Sequence, residues 1–145
     1  MKSLLLLITL MFLVPSQGDP HRLVVRVTGL NPLHGDLYIS LHHQPELFPD
    51  AEAALMKKKT RVKQESEIMV FDKVPAGRYA VAVYHDENLN GVLDVNEKDV
   101  PLEGYGFSTK RKILGQPKFD QAAFDLSASD TLEIKMIYLG SQKKN

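Results

Sequence analysis

The sequence predicts a mainly β protein, a Greek-key antiparallel β-sandwich with one short helix that follows an N-terminal signal peptide. Short runs of β-branched and aromatic residues alternate apolar with polar positions, and turn residues separate them. Five to seven such strands at this spacing are typical of two packed sheets. The 145 residues contain no cysteine, so one hydrophobic core forms without a disulfide scaffold.

The N-terminus has the pattern of a secretory signal peptide over residues 1–18. Lys2 precedes an apolar run from Leu4 to Val14, which is too short to span a bilayer, and the small residues Ser16 and Gly18 precede the expected cleavage point. A retained interfacial anchor is the alternative. We therefore expect an exported protein, periplasmic or secreted, without a membrane span. Residues 19–140 form its single domain and residues 141–145 a disordered tail.

Six segments are predicted as strands. Alternation is clearest in the second, where Leu37, Ile39 and Leu41 share one face, and in the last, where Leu132, Ile134 and Met136 point inward. The six segments are Leu23–Thr28, Asp36–His42, Glu67–Phe71, Arg78–Tyr84, Ala122–Leu126 and Thr131–Tyr138.

The helix is predicted over Ala51–Lys58. Asp50 is a suitable N-cap, and Lys57, Lys58 and Lys59 lie at the C-terminal end, where the helix dipole favours positive charge. The same lysines offer an alternative as a basic cluster that contacts an anionic surface.

Residues 86–97 match the twelve-position calcium loop. Gly91 occupies position six, where the backbone needs a positive φ, and the carbonyl of Val92 occupies position seven. Carboxylate and amide oxygens are hard ligands that suit Ca²⁺. They fall at positions one, three, five, nine and twelve: Asp86, Asn88, Asn90, Asp94 and Glu97. The alternative is a tight polar connection without a metal.

The flanks of this loop differ from those of a helix–loop–helix calcium site. A predicted strand precedes the loop, and Pro101, Gly104 and Gly106 prevent a long helix after it. The sequence therefore predicts a calcium-type loop that connects two strands of a sheet.

Several segments together resemble a known family. The core HDEN-x-NG-x-LD at residues 85–94 and EGYGFS at residues 103–108 are similar to the domain of unknown function 2141 family of small exported bacterial proteins. The similarity extends to Phe48-Pro49 and Ala122–Phe124, and so covers nearly the whole chain after residue 18. The resemblance implies an immunoglobulin- or transthyretin-like sandwich, similar also to carboxypeptidase-regulatory-like modules, and implies no settled activity.

The resemblance also changes one detail of the metal site. Position twelve is often not acidic in that family, whereas the glutamate of EGYGFS recurs, so Glu103 competes with Glu97 as the last ligand. Within the same segment, Tyr105 has two interpretations: an aromatic ring presented to a ligand, or local packing that fixes a loop.

Catalysis has little support in the sequence. Ser40 and Ser108 have no recognisable base and orienting group around them. The histidines are candidate copper or zinc ligands, although His42 and His43 point to opposite faces of a strand. Structural histidine is the alternative for all five, which are His21, His34, His42, His43 and His85.

The preferred functional prediction is a non-enzymatic binding or structural module with a Ca²⁺ loop and an unidentified protein or carbohydrate partner. The alternative is an enzyme, or an accessory domain of one, that binds a sugar or peptide beside the acidic loop. Nucleic acid is excluded as a partner because 18 basic side chains balance 18 acidic ones. The oligomeric state is left open.

Overall fold

The computed structural model describes residues 19–109, 113 and 115–139. The predicted signal peptide (residues 1–18) and tail (residues 141–145) lie outside these residues. The described chain contains eight strands and one α-helix, in the order β1 His21–Thr28, β2 Asp36–His42, β3 Met56–Arg61, β4 Ser66–Val74, β5 Gly77–Asp86, β6 Gly104–Phe107, α1 Phe119–Ala122, β7 Phe124–Leu126 and β8 Asp130–Lys135.

The strands form two sheets, which we call the small and the large sheet. The small sheet has the order β4-β1-β8, and the large sheet has the order β3-β2-β5-β6, with β7 paired to the beginning of β5. The prediction of a mainly β protein with two sheets and one short helix is confirmed. One pair departs from the antiparallel prediction, because β1 and β8 run parallel.

Apolar side chains from both sheets form one core. Val25 and Val27 of β1 share it with Leu37 and Ile39 of β2 and with Val83 of β5, all of them almost fully buried. The alternation predicted for the second strand is confirmed on this face. Alternation in the last strand is confirmed as well, since Ile134 and Met136 are buried while Glu133 and Lys135 are exposed.

The last strand is shorter than predicted because the chain changes partners. β8 ends at Lys135, and Ile137 then exchanges two backbone hydrogen bonds with Tyr105 of β6, at 3.0 and 2.8 Å. The end of the small sheet is thereby joined to the edge of the large sheet.

The predicted helix over Ala51–Lys58 is wrong. Asp50 does cap a turn, since its Oδ1 accepts from the backbone N–H of Glu52 at 2.9 Å, but that turn is a single 3₁₀ turn over Ala51–Ala53. Residues from Met56 onward form β3 and pair with β2. The cross-strand hydrogen bonds therefore outweigh the helix propensity of alanine and lysine, which is a weak preference.

The short helix lies elsewhere, over Phe119–Ala122, and the strand predicted over Ala122–Leu126 is reduced to β7. Phe119 packs edge-on against Phe48, which in turn packs against Phe107. These rings cover the outer face of the large sheet around Ala80. The second face of β2 is consequently covered in part, and its Ser40 and His42 are buried.

Two strands were not predicted, β3 and β6. The segment that forms β6 is glycine-rich, and a Cβ at Gly106 would lie 2.8 Å from Cγ2 of Ile134, so only glycine allows this close approach. None of the helices in the described part of the chain is long and apolar enough to cross a membrane.

Candidate metal loop and the adjoining cleft

The loop of interest connects β5 to β6 at one edge of the large sheet. β5 ends at Asp86 and β6 begins at Gly104, and the two strands are antiparallel neighbours, with His85 opposite Gly104. The chain therefore leaves and re-enters the sheet at adjacent points. We call residues 86–103 the acidic loop.

Asp86 organises the first half of the acidic loop. Its side chain is buried, with the residue only 1% exposed, and Oδ1 accepts from the N–H of Asn90 at 3.0 Å while Oδ2 accepts from that of Gly91 at 2.8 Å. Gly91 has a φ of 85°, a conformation that glycine adopts without strain. The backbone therefore winds around the Asp86 carboxylate.

Two further predicted ligands, Asn88 and Asn90, meet at Asp94. Its carboxylate accepts from Nδ2 of Asn88 at 2.5 Å and from Nδ2 of Asn90 at 3.0 Å. The amide oxygen of Asn88 accepts from the N–H of Asn90, and that of Asn90 from the N–H of Val92, both at 3.0 Å. Asp86, Asn88, Asn90 and Asp94 thus belong to one hydrogen-bonded network.

Glu97 lies apart from that network. After Asp94 the chain makes a small hairpin, in which Leu102 N–H donates to the carbonyl of Asp94 at 2.9 Å and Asn96 N–H to that of Val100 at 2.9 Å. Glu97 occupies the turn of this hairpin and is exposed.

The hairpin instead brings Glu103, at the end of the acidic loop, back to the first half of that loop. Glu103 is 5% exposed, and its two carboxylate oxygens accept from the N–H of Glu87 at 2.8 Å and of Asp94 at 3.0 Å. This carboxylate clamps the two halves of the acidic loop together. Of the two competing residues, the structure places Glu103 beside Asp94 and Glu97 at the tip of the hairpin.

Val92, predicted to offer its carbonyl, lies at the solvent side of the loop, and its side chain is exposed. Across residues 19–109, 113 and 115–139, no three His, Cys, Asp or Glu side chains gather where one metal ion could sit. The acidic oxygens of Asp86, Asp94 and Glu103 are instead satisfied by N–H donors.

A buried polar network lies next to the point where β5 leads into the acidic loop. His85 is fully buried, and its Nε2 lies 2.6 Å from the carbonyl of His34. Because a carbonyl only accepts, Nε2 carries the proton, and Nδ1 accepts from the hydroxyl of Tyr138 at 2.8 Å. The same hydroxyl accepts from the N–H of Asn31. His85 is therefore a structural residue, and no local sequence signal indicated its contact with Tyr138.

Glu87 lies beside this network. Burial raises the pKa of Glu87, an effect that the nearby His85 opposes and the negative charge of Glu103 reinforces. Its Oε1 is buried without a hydrogen-bond partner among the described residues. Glu87 thus lies partly inside the protein, beside the start of the acidic loop.

A cleft of about 320 Å³ opens beside the acidic loop, on the outer face of the large sheet. We call it the tyrosine cleft, because the rings of Tyr38 and Tyr84 stack at 4.7 Å along it. Gly91, at the loop tip, belongs to its lining and accepts a hydrogen bond from the Tyr84 hydroxyl at 3.0 Å. The lining consists of Tyr38, Ile39, Ser40, Ala51, Glu52, Lys57, Lys58, Lys59, Tyr84 and Gly91.

Ser40, at the floor of this cleft, contacts a buried histidine beneath it, which the sequence did not indicate. Nε2 of His42 lies 2.8 Å from Oγ of Ser40, which is two residues earlier on the same face of β2. Burial lowers the pKa of His42 to about 4, although the carboxylate of Asp50 acts in the opposite direction. His42 is therefore neutral near pH 7.

The structure also tests the predictions made for Tyr105 and for the pair His42 and His43. Tyr105 is buried, its ring packs against Phe107, and its hydroxyl accepts from the N–H of Gly115 at 3.1 Å, so its packing role is confirmed. His42 is buried and His43 exposed, as expected for opposite faces of a strand.

The fold and the loop define a class: a two-sheet β domain with an Asp- and Asn-rich connection at one sheet edge. The chain belongs to the family described as "uncharacterized protein conserved in bacteria (DUF2141)", whose model matches residues 25–134. The resemblance seen in the sequence is thereby confirmed. No curated protein and no solved structure matches the chain.

Proposed function

We propose that this protein is an exported, non-enzymatic binding or structural module whose acidic loop binds Ca²⁺. The observation that supports the proposal is the single network formed by Asp86, Asn88, Asn90 and Asp94. Its members occupy positions one, three, five and nine of a calcium loop, and Gly91 has the positive φ that position six requires.

The donor set fits a hard divalent cation. The Asp94 carboxylate now accepts from the amide nitrogens of Asn88 and Asn90. If both amides turned to present oxygen in place of nitrogen, they would give up the bonds that their oxygens accept from the N–H groups of Asn90 and Val92, and Ca²⁺ would replace those bonds and neutralise the carboxylate. Glu103 already holds both halves of the loop together and is the nearer candidate for a further oxygen, whereas Glu97 is at the hairpin turn.

Calorimetric titration of the purified protein with Ca²⁺, and with Mg²⁺ as a control, tests the proposal. We expect a dissociation constant between about 10⁻⁶ and 10⁻³ M, because extracellular calcium modules bind at the weak end of the known range. At a calcium concentration of one hundred times that constant, stability rises by about 2.7 kcal/mol. A melting curve that is identical in calcium and in chelator would reject the calcium site.

The second candidate is an enzyme, or an accessory domain of one, that binds a sugar or peptide beside the acidic loop. The tyrosine cleft favours it, because the cleft adjoins Gly91 and has aromatic walls. Glu87, the acid with the raised pKa, does not line that cleft, which favours binding over acid–base catalysis. An Asp86→Ala variant that lost turnover of an identified substrate and kept its thermal stability would support the enzyme.

A further inference from the structure

We propose that the tyrosine cleft binds a saccharide that carries carboxylate groups, with Lys57 and Lys59 holding the anion. The inference rests on the second candidate function, binding of a sugar beside the acidic loop, and it is separate from the proposed calcium site and does not require the metal. Four features of the described residues support it: the cleft's apolar wall, its cations, its polar floor and its size.

The apolar wall is the pair of stacked tyrosines. Tyr38 and Tyr84 are direct cross-strand partners on β2 and β5, with ring planes only 2° from parallel. Stacking and the hydrogen bond from Tyr84 to Gly91 fix the rings before any ligand arrives. Aromatic rings that are fixed in advance lose little entropy on binding. Tyr38 lies between Tyr84 and the ammonium group of Lys59, which is 5.3 Å from the Tyr38 ring centre, so the C–H face of a sugar ring takes the place of Lys59 on Tyr38 when that lysine turns to the anion.

The cations come from β3, which is an edge strand of the large sheet. Lys57 is opposite Ser40 and Lys59 opposite Tyr38, so both point to the cleft side of the sheet, about 6–7 Å apart along the strand. Lys58 has its ammonium group over the ring of Phe71, 5.8 Å from the ring centre. The spacing of Lys57 and Lys59 allows them to contact one anionic sugar together.

Both lysines have carboxylate partners that a ligand can replace or share. Lys57 pairs with Glu52 at 2.9 Å, but both side chains are at least half exposed, and such pairs contribute little to stability. Lys59 pairs with Asp36 at 3.3 Å, and Arg61 contacts the same carboxylate at 3.1 Å. Asp36 therefore keeps a partner when Lys59 turns towards a ligand, and the carboxylate of a ligand competes directly with Glu52.

The floor of the cleft supplies a neutral hydrogen-bonding group. The Ser40 hydroxyl lines the cleft and is held by His42, which is buried. The hydroxyl donates to the carbonyl of Ala82 at 3.4 Å and contacts His42 at 2.8 Å, so a lone pair remains to accept from a sugar hydroxyl. The floor carries no charge near pH 7, so the attraction for an anion comes from the lysines.

The size of the cleft selects a small ligand. At about 320 Å³ it is at the lower end of ligand pockets, which span roughly 300–1,000 Å³. That volume suits one or two sugar rings rather than the surface of a folded protein. A uronic acid combines the ring, the hydroxyl groups and the carboxylate that these residues would recognise.

Calorimetric titration with digalacturonic acid, in a buffer that contains EDTA, tests the proposal without calcium. The neutral disaccharide galactobiose is the matched ligand. We expect the acid to bind about tenfold more tightly than the neutral sugar, and to weaken as salt is raised. Equal affinity for both sugars, or no binding of the acid, would overturn the proposal, while the calcium titration would be unaffected.

Three variants locate the site. Lys57→Gln should weaken binding of the acid about tenfold, because it removes a charged hydrogen-bond donor. Glu52→Gln should strengthen binding, because it removes the competing carboxylate. Lys63→Gln is the control, since Lys63 is exposed and is not part of the cleft lining. Equal loss of affinity in the Lys57 and Lys63 variants would show only general charge attraction and would overturn the assignment.

Discussion

The Tyr84 hydroxyl donates a hydrogen bond of 3.0 Å to the carbonyl oxygen of Gly91, and so joins the large sheet to the tip of the acidic loop. Burial, with the ring of Tyr38 and the carboxylate of Asp86, raises the pKa of Tyr84 to about 12. The hydroxyl is therefore protonated and able to donate throughout the physiological range. One residue thereby shapes both the loop and the cleft.

Replacing Tyr84 by phenylalanine should weaken calcium binding. The change removes one hydrogen bond, worth about 1 kcal/mol, and the tip of the loop is then less well ordered before calcium binds. Calcium titration should show an affinity lower by about threefold to fivefold.

Tyr79→Phe is the matched control, because Tyr79 lies on the same strand and its hydroxyl donates to the carbonyl of Pro75 at 2.9 Å. It should cost similar stability and leave calcium affinity unchanged. If both variants lost calcium affinity equally, the effect would be one of general stability and the role given to Tyr84 would be wrong.

The two competing glutamates should differ strongly in stability. Glu103→Gln places an amide NH₂ group where a carboxylate oxygen accepts from a backbone N–H, and should destabilise the protein by about 1–3 kcal/mol. Glu97→Gln changes an exposed turn residue and should cost less than about 0.5 kcal/mol. Urea unfolding in the presence of chelator measures the free energy of unfolding of both variants. Equal stability of the two would show that Glu103 does not hold the two halves of the loop together.

Neutralising a proposed ligand should reduce calcium affinity. Asp94→Asn removes one of the charges in the loop network and should weaken calcium binding at least about tenfold, since affinity depends on the number of charged ligands. Asp99→Asn is the control: Asp99 lies in the same loop with a φ of 56°, and asparagine tolerates that conformation as well as aspartate does. Similar affinities for the two variants would argue against the site.

Stability should fall in acid because of His42. Burial lowers the pKa of His42 to about 4, below the ordinary value of 6.5, so the unfolded state binds a proton more readily than the folded state between these two values. The contribution of His42 is therefore fully present above pH 6.5 and is lost as the pH falls towards 4, by about 2 kcal/mol at pH 4.5.

Urea unfolding at pH 7 and pH 4.5 measures this loss. His42→Gln should remove most of the difference, whereas His43→Gln, at the exposed neighbouring position, should keep it. If the His42 variant kept the full pH dependence, the buried histidine would not be its source.

The sequence predicted the strands whose inner faces alternate, because that pattern is local. β2 was predicted with its observed bounds, since Leu37, Ile39 and Leu41 report the buried face directly. The helix predicted over Ala51–Lys58 includes the first three residues of β3, because alanine and lysine favour helices locally. The strand conformation of β3 depends on pairing with β2, and nothing in residues 56–61 alone encodes that partner.

Some contacts of the acidic loop could likewise be predicted from the sequence, and others could not. The spacing of oxygen side chains around Gly91 is a local pattern, so the sequence by itself determined that Asp86, Asn88, Asn90 and Asp94 come together. Only the tertiary structure placed Glu103 beside Asp94 and Glu97 at the hairpin turn, and only it placed Tyr38 against Tyr84, because both placements depend on how distant segments pair. Contacts within a short loop follow from the spacing of residues along the chain. Contacts between strands follow from the register in which the strands pair, which the local sequence does not specify.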